Sequence, residues 1–505
     1  VTAVAAGPGL QRLREALGEV ADLERASAVL GWDQETYMPP GGVEDRAAQL
    51  ATLSRLAHER FTSDEVARLL ERAASEVADQ APDSDDASLV TVTRRDFEQA
   101  VRLPSELVAE LARASARAQP VWLEARSRGD WSLFAPAMRV SVDLSRRVAD
   151  ALGYAERPYD ALLARQEPGL TTARVEALFG ELKAAIVPLL ARLSAHADRV
   201  DGSPLERPCD RERQLALAVE TIAWLGYDLR RGRQDISAHP FCTTFGPGDV
   251  RVTTRTGSTL GDSCIFSSIH EAGHAMYEQG IPRSLDRTPL WGGASPGVHE
   301  SQSRLWENLV GRSRPFMDWF FPRLQQAFPE SLADVDAEAF WRASNAVRPS
   351  YIRVDADEVT YNLHVLLRFE IETELLEGRL AVADVPEAWG ARVRACLGLE
   401  PPGDREGPLQ DIHWTSGLGH FVGYALGNLI SAQLLAAARH DLPDLDAQLA
   451  AGQFAPLRGW LRERVHRHGR KLVPDDLVRR ATGQPIEAGP WVAYIQQKYS
   501  ALYEL

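Results

Sequence analysis

His270-Glu271-Ala272-Gly273-His274 is the stretch from which the rest of this chain is best read. An α-helix completes a turn in about 3.6 residues, so positions four apart share a face. Wound as a helix, the run turns both imidazoles to one side, where they can reach one ion. Glu271, one position on, points beside that ion. A general base belongs there, within reach of a water polarised by the metal. Ala272 and Gly273 are small enough to let another helix approach closely.

Helical spacing continues outward in both directions. Leu10, Leu13, Leu17 and Val20 recur at helical intervals within residues 10–29. The run Pro39-Pro40-Gly41-Gly42 then breaks the pattern. Further helices are predicted over 44–60, 88–116, 136–151, 172–197, 209–225, 354–376, 385–397 and 421–437. Residues 243–255 are the exception. There Val250, Val252, Thr253 and Thr254 follow the turn signal Gly246-Pro247-Gly248-Asp249 and predict a small hairpin or edge sheet. Residues 80–86 read as a polar loop. With no repeat and no long linker, residues 1–505 read as one large, mostly α-helical unit with a central cleft.

Composition limits the partners. The chain has 505 residues, 56 Lys and Arg against 71 Asp and Glu, and a net charge of −15. A protein that tracks phosphates carries a basic surface, so nucleic acid and anionic membranes are not expected partners. No apolar run is long enough for a membrane span. Residues 1–10 lack the basic start of a secretion leader. The four cysteines, Cys209, Cys242, Cys264 and Cys396, show no C-x-x-C spacing and read as reduced thiols of a cytoplasmic protein. The basic stretch 458–471 carries Trp460, Leu461 and Val465 at helical spacing and reads as an amphipathic surface helix.

A catalytic zinc takes three protein ligands and keeps one position open. The third ligand is expected on a second helix, beginning at Gly297-Val298-His299-Glu300-Ser301. Glu300 completes a His-His-Glu set; His299 is its rival.

Several further motifs occur in order. They include Trp32 to Gly42, His239-Pro240-Phe241, and Asp249, Arg251 and Thr253. Downstream come His299 to Gln302, then Ile352, Arg353, Ala356 and Asp357. Gly407, Gln410, Asp411, His413 and Trp414 follow, and then Trp460 to Glu463 and His466 to Gly469. Together with H-E-x-x-H they resemble the M32 carboxypeptidases, typified by carboxypeptidase Taq, over almost the whole chain. The resemblance implies a bilobed helical fold with a deep groove, a helical lid near residues 1–80, and a homodimer. It implies removal of single C-terminal residues from peptides with broad specificity, using Zn2+, for which Co2+ can substitute. An endopeptidase or dipeptidyl-carboxypeptidase on the same scaffold, or an inactive peptide-binding relative, are the alternatives.

Roles follow from this resemblance. Glu271 accepts the water proton and passes it to the leaving amine. His413 and then Tyr424 are the candidate donors to the tetrahedral oxyanion, with His239 near the leaving residue. Arg353 suits the free α-carboxylate, with Arg251 as competitor unless it simply pairs with Asp249. Gln410 either binds substrate backbone or holds His413. Asp411 and Asp357 are candidates to orient a ligand imidazole. One stretch departs from the family. Gly419-His420-Phe421-Val422-Gly423-Tyr424 stands where the family has Gly-Tyr-Phe-Pro-x-Tyr, so His420 replaces a phenol as donor or serves as packing.

Overall fold

The apolar stripe of the first helix, Pro8–Thr36, buries Leu10, Leu13, Leu17 and Val20. The computed structural model describes residues 7–505. The reading of residues 1–10 therefore falls partly outside the described residues. A short 3-10 turn at Pro40–Gly42 follows, and the next helix spans Val43–Phe61. Among the described residues no helix is long and apolar enough to cross a membrane. All four cysteines are free.

Two predicted helices are interrupted. Residues 88–116 form two helices, Asp85–Arg102 and Ser105–Arg128. Pro104 has no N–H to give and forces Leu103 to an extended ψ of 112°, which ends the first helix. Ser84 caps that helix by accepting from the Ala87 N–H, so the loop before it is shorter than predicted. Residues 354–376 become helical only at Tyr361, after a 3-10 turn at Arg353–Asp355. Between them Asp357 Oδ1 accepts from the Val359 and Thr360 N–H groups, both at 2.9 Å. Asp357 thus shapes this turn and touches no ligand imidazole.

The strand-like segment is a three-stranded sheet of β1 (Gln234–Ile236), β2 (Cys242–Gly246) and β3 (Asp249–Thr254), in the order β1-β3-β2. β2 and β3 are the predicted antiparallel hairpin, and Gly246 takes φ 139° at its turn, a value that favours glycine. β1 adds in parallel on the other edge. Val250 and Val252 are buried, while Thr254 Oγ1 lies 3.0 Å from Ser267 Oγ and accepts from Ser268 Oγ at 3.2 Å. These contacts seat the sheet on the helix Cys264–Gly280, which carries His270 and His274.

That motif helix is buried on nearly every side, as suits a helix inside the core. The helix Pro296–Arg304 returns beside it, with Pro296 at its start and Ser295 Oγ capping the Val298 N–H at 3.1 Å. Glycines let three helices close up around Glu300. A Cβ at Gly273 would meet the Gln302 carbonyl at 2.7 Å, and one at Gly427, on the helix Val422–Asp441, would meet Glu300 Cγ at 2.5 Å.

Candidate active site

Helical winding and the Gly273 contact bring His270, His274 and Glu300 together. One donor atom from each lies within 4.8 Å of the others. Glu300 Oε2 is 3.4 Å from His274 Nε2 and 3.8 Å from His270 Nε2. Ligands at about 2.0–2.2 Å around a tetrahedral ion stand about 3.4 Å apart, so this donor set fits a zinc-sized cation. Burial lowers the His274 pKa to about 3, which favours the neutral imidazole that metals bind.

The outward nitrogens of both rings are held. His270 Nδ1 lies 2.8 Å from Glu307 Oε2, and His274 Nδ1 lies 2.5 Å from His299 Nδ1. His299 is therefore a neighbour of the donor set and not its third member. Glu307 sits on a π-helical turn, Leu305–Val310, that continues the return helix. Arg304 lies between the two acids, donating to Glu300 Oε1 at 2.6 Å and lying 3.6 Å from Glu307 Oε2. Glu307 is thus the carboxylate that holds the His270 ring, while Asp411 pairs with arginines and Asp357 with backbone N–H groups.

Glu271 is buried beside this group, and its carboxylate has no hydrogen-bond partner among the described residues. Burial pushes its pKa up to about 7, with Glu300 and Glu307 adding to the rise against His270. A carboxylate poised near neutrality suits proton transfer.

Arg353 is buried and braced. Its backbone N–H donates to Gln410 Oε1 at 2.9 Å, its Nη1 to Tyr361 Oη at 3.0 Å, and its Nε to Asp411 Oδ1 at 3.4 Å. Nη2 has no partner among the described residues. The guanidinium carbon stands 5.0 Å from the Tyr424 ring centre and 5.6 Å from that of Phe421. The Tyr361 ring also lies under Arg304, 4.3 Å from its guanidinium carbon, which joins Arg353 to the Glu300 side of the site.

Gln410 does neither of the things the sequence suggested. Its Oε1 also accepts from Arg368 at 2.7 Å, and its Nε2 donates to the Tyr351 and Glu406 carbonyls. It is spent on bracing arginines. Asp411 likewise pairs with Arg353 and with the fully buried Arg368. Arg251 is held by a carboxylate as well: Nε and Nη2 both donate to Asp249 at 2.8 Å. Its face covers Trp32 of the first helix at 4.3 Å. Arg251 therefore ties the first helix to the sheet.

His413 stands 3.8 Å from Asp411 Oδ1 and 4.8 Å, between ring centres, from Phe421. Burial lowers its pKa to about 4 and raises that of Tyr424 to about 12. Both are neutral donors near pH 7. The His239 pKa is lowered, first by desolvation and then by the charges of Arg255, Arg353 and His270. His420 is exposed, and its pKa is lowered chiefly by desolvation, with the charge of Arg165 adding to it. It is neither a core packing residue nor bonded to the donor set.

The loop before His420 is anchored by Glu372, whose Oε2 accepts from Tyr159 Oη at 2.7 Å and from the Gly419 N–H at 3.1 Å. Complete burial raises its pKa to about 7. An unfolded carboxyl ionises near about 4.3, so between there and pH 7 the unfolded chain has released a proton that the folded one keeps. Stability from this group is present below about pH 4.3 and falls by about 1.4 kcal/mol per unit up to pH 7. Glu372→Gln keeps both acceptor bonds without that loss. Its melting temperature is expected to match the parent near pH 4.5 and to exceed it at pH 8. A difference that does not change with pH would contradict this.

Sequence reasoning missed Arg304, Glu307, Tyr361, Arg368 and the placement of His299. Arg304 and Glu307 were within reach, standing four and seven residues after Glu300 on one helical face. Tyr361 and Arg368 left no local signal.

The chain has close relatives. The description "Carboxypeptidase Taq (M32) metallopeptidase" matches residues 12–499. Thermostable carboxypeptidase 1 of Thermus thermophilus is 44% identical over 504 residues, covering 98% of each chain. Carboxypeptidase 1 of Bacillus subtilis is 39% identical, covering 97% of each. The crystal structure of the M32 carboxypeptidase from Deinococcus radiodurans R1 superposes with a TM-score of 0.96 at 45% identity, over 99% of this chain and 100% of that one. A match along almost the whole chain, together with a shared fold and a His-His-Glu cluster suited to a metal, makes this protein a member of the M32 metallopeptidase family.

Proposed function

We propose that the protein is a zinc-dependent carboxypeptidase that releases single residues from the free C-terminus of peptides, with broad specificity. The observation that carries this reading is the convergence of His270 Nε2, His274 Nε2 and Glu300 Oε2 beside the unpartnered carboxylate of Glu271. Zn2+ held there supplies Lewis acidity, polarising the scissile carbonyl and making a water nucleophilic near neutral pH. Co2+ is expected to serve in its place.

Each protein group then has one task. Arg353 receives the α-carboxylate through Nη2, and Tyr361 and Asp411 keep its guanidinium from turning. This fixes the last peptide bond over the donor set, so that one residue is removed at a time. Glu271 takes the proton of the attacking water and hands it to the departing amine. His413 and Tyr424, both protonated and uncharged, donate to the oxygen that gains charge. His239 lines the side of the leaving residue. His420, exposed and not bonded to the donor set, supports contact with the substrate more than a role in the chemistry.

The N-terminal helical region, about residues 1–80, acts as a lid. The Trp32–Arg251 stack and the hydrogen bond from Tyr37 Oη to Asp235 Oδ1 at 2.5 Å support this. A homodimer follows the family resemblance, and four free thiols suit the reducing cytoplasm. Dialysis against a chelator is expected to abolish release of amino acids from a peptide, and stoichiometric Zn2+ or Co2+ to restore it. Full activity after the metal content has fallen to zero would overturn the proposal.

A further inference from the structure

His299 precedes Glu300 on the return helix and is half-buried among several neighbours that hold its ring. Its ring stacks on His274, with centroids 4.6 Å apart and planes at 29°. A Cβ at Gly293 would come within 2.7 Å of His299 Cδ2, so the loop closes against the ring only because that residue is glycine. Tyr277 packs 5.4 Å away, and its Oη accepts from the Ala294 N–H of the same loop at 3.2 Å. His299 Nε2 lies 2.8 Å from Glu278 Oε1.

The proton inventory of this chain has one solution. His274 turns Nε2 toward Glu300, and a nitrogen that binds a cation carries no proton. Its proton is therefore on Nδ1 and is donated to His299 Nδ1, 2.5 Å away. That leaves the His299 proton on Nε2, donated to Glu278. Glu278 stands four residues after His274 on the motif helix, so one helical face supplies both ends of the chain. Its other oxygen is buried without a hydrogen-bond partner among the described residues, and no Arg or Lys pairs with it there. A buried carboxylate that is not neutralised by a cation needs a reason to be retained.

We propose that His299 and Glu278 form a relay that positions the metal ligand His274. Glu278 holds His299 in one tautomer, and His299 holds the His274 ring with Nε2 facing the ion. The two ligand imidazoles are thus supported differently. His270 leans directly on Glu307, whose charge is offset by Arg304 and Arg312. His274 leans on a neutral ring, with its carboxylate one residue further out. This inference rests on the metal-site reading above.

Competition with a chromophoric chelator measures Zn2+ affinity directly. His299→Leu is expected to bind Zn2+ about 10- to 100-fold more weakly than the parent. His299→Gln can accept from His274 through its amide oxygen and donate to Glu278 through its amide nitrogen. It is expected to keep most of the affinity, with the melting temperatures of the two metal-free variants alike. If His299→Leu does not fold, Glu278→Ala takes its place with the same expected loss. Parent-like affinity in His299→Leu, beside a clear loss in a Glu300→Gln control, would overturn the relay and leave the metal site standing. A Gln variant as weak as the Leu variant would also overturn it. Parent-like affinity in Glu300→Gln would overturn the metal site itself.

Discussion

Glu271→Gln is expected to lower kcat/KM by about 10²- to 10⁴-fold while leaving metal content unchanged. The carboxylate stands one position from His270 on the same helix, close to the donor set but outside it. Its amide isostere keeps the size and much of the polarity of the side chain, but it cannot accept a proton near neutral pH. Burial has already pushed the carboxyl up to about 7, so the ionised form present at working pH is a stronger base than an exposed glutamate. Steady-state kinetics beside a metal assay separate the two effects. A variant that hydrolyses peptides at the parent rate would remove Glu271 from the mechanism. One that loses its metal would recast the residue as structural.

Arg353→Gln is expected to cost about 2–5 kcal/mol in kcat/KM for peptides with a free C-terminus, or about 30-fold to several thousand-fold. The guanidinium is buried, its Nε and Nη1 are occupied by Asp411 and Tyr361, and Nη2 has no partner among the described residues. Arg368 remains to pair with Asp411 in the variant, which limits the damage to the fold. Arg251→Gln is expected to have a far smaller effect on the same substrates, because its bidentate bond to Asp249 and its stack on Trp32 serve the contact with the first helix. The opposite ranking would move carboxylate recognition to the sheet.

The helical fold was legible because apolar spacing and proline breaks report local winding directly. The misplaced bounds have local causes: Pro104 splits one predicted helix, and the Asp357 turn delays another to Tyr361. H-E-x-x-H spacing made the pairing of His270 with His274 readable, and Glu300, expected as a third donor on a second helix, does come together with them. Partner choice was not legible. Which of Arg251 and Arg353 receives a carboxylate depends on which carboxylates, rings and phenols fold against each, and those come from as far along the chain as Trp32, which stacks on Arg251. Gln410 was misread for the same reason: all its hydrogen-bonding capacity is consumed by Arg353, Arg368 and nearby carbonyls. The orientation of His299 also required three dimensions, since Glu278 lies on a different helix. His420 shows the limit of comparing motifs. The replaced phenol marks a difference, but only the fold brings the new imidazole within reach of the Arg165 charge.

One pair of digests tests the central claim most directly. A peptide is incubated with the enzyme in two forms, with a free C-terminal carboxylate and with a C-terminal amide, and the products are followed by mass spectrometry with and without chelator. The account predicts a ladder of products from the free form, each one residue shorter than the last, little or no cleavage of the amide, and no ladder once the metal is removed. Equal cleavage of the two forms, or internal fragments from either, would contradict it.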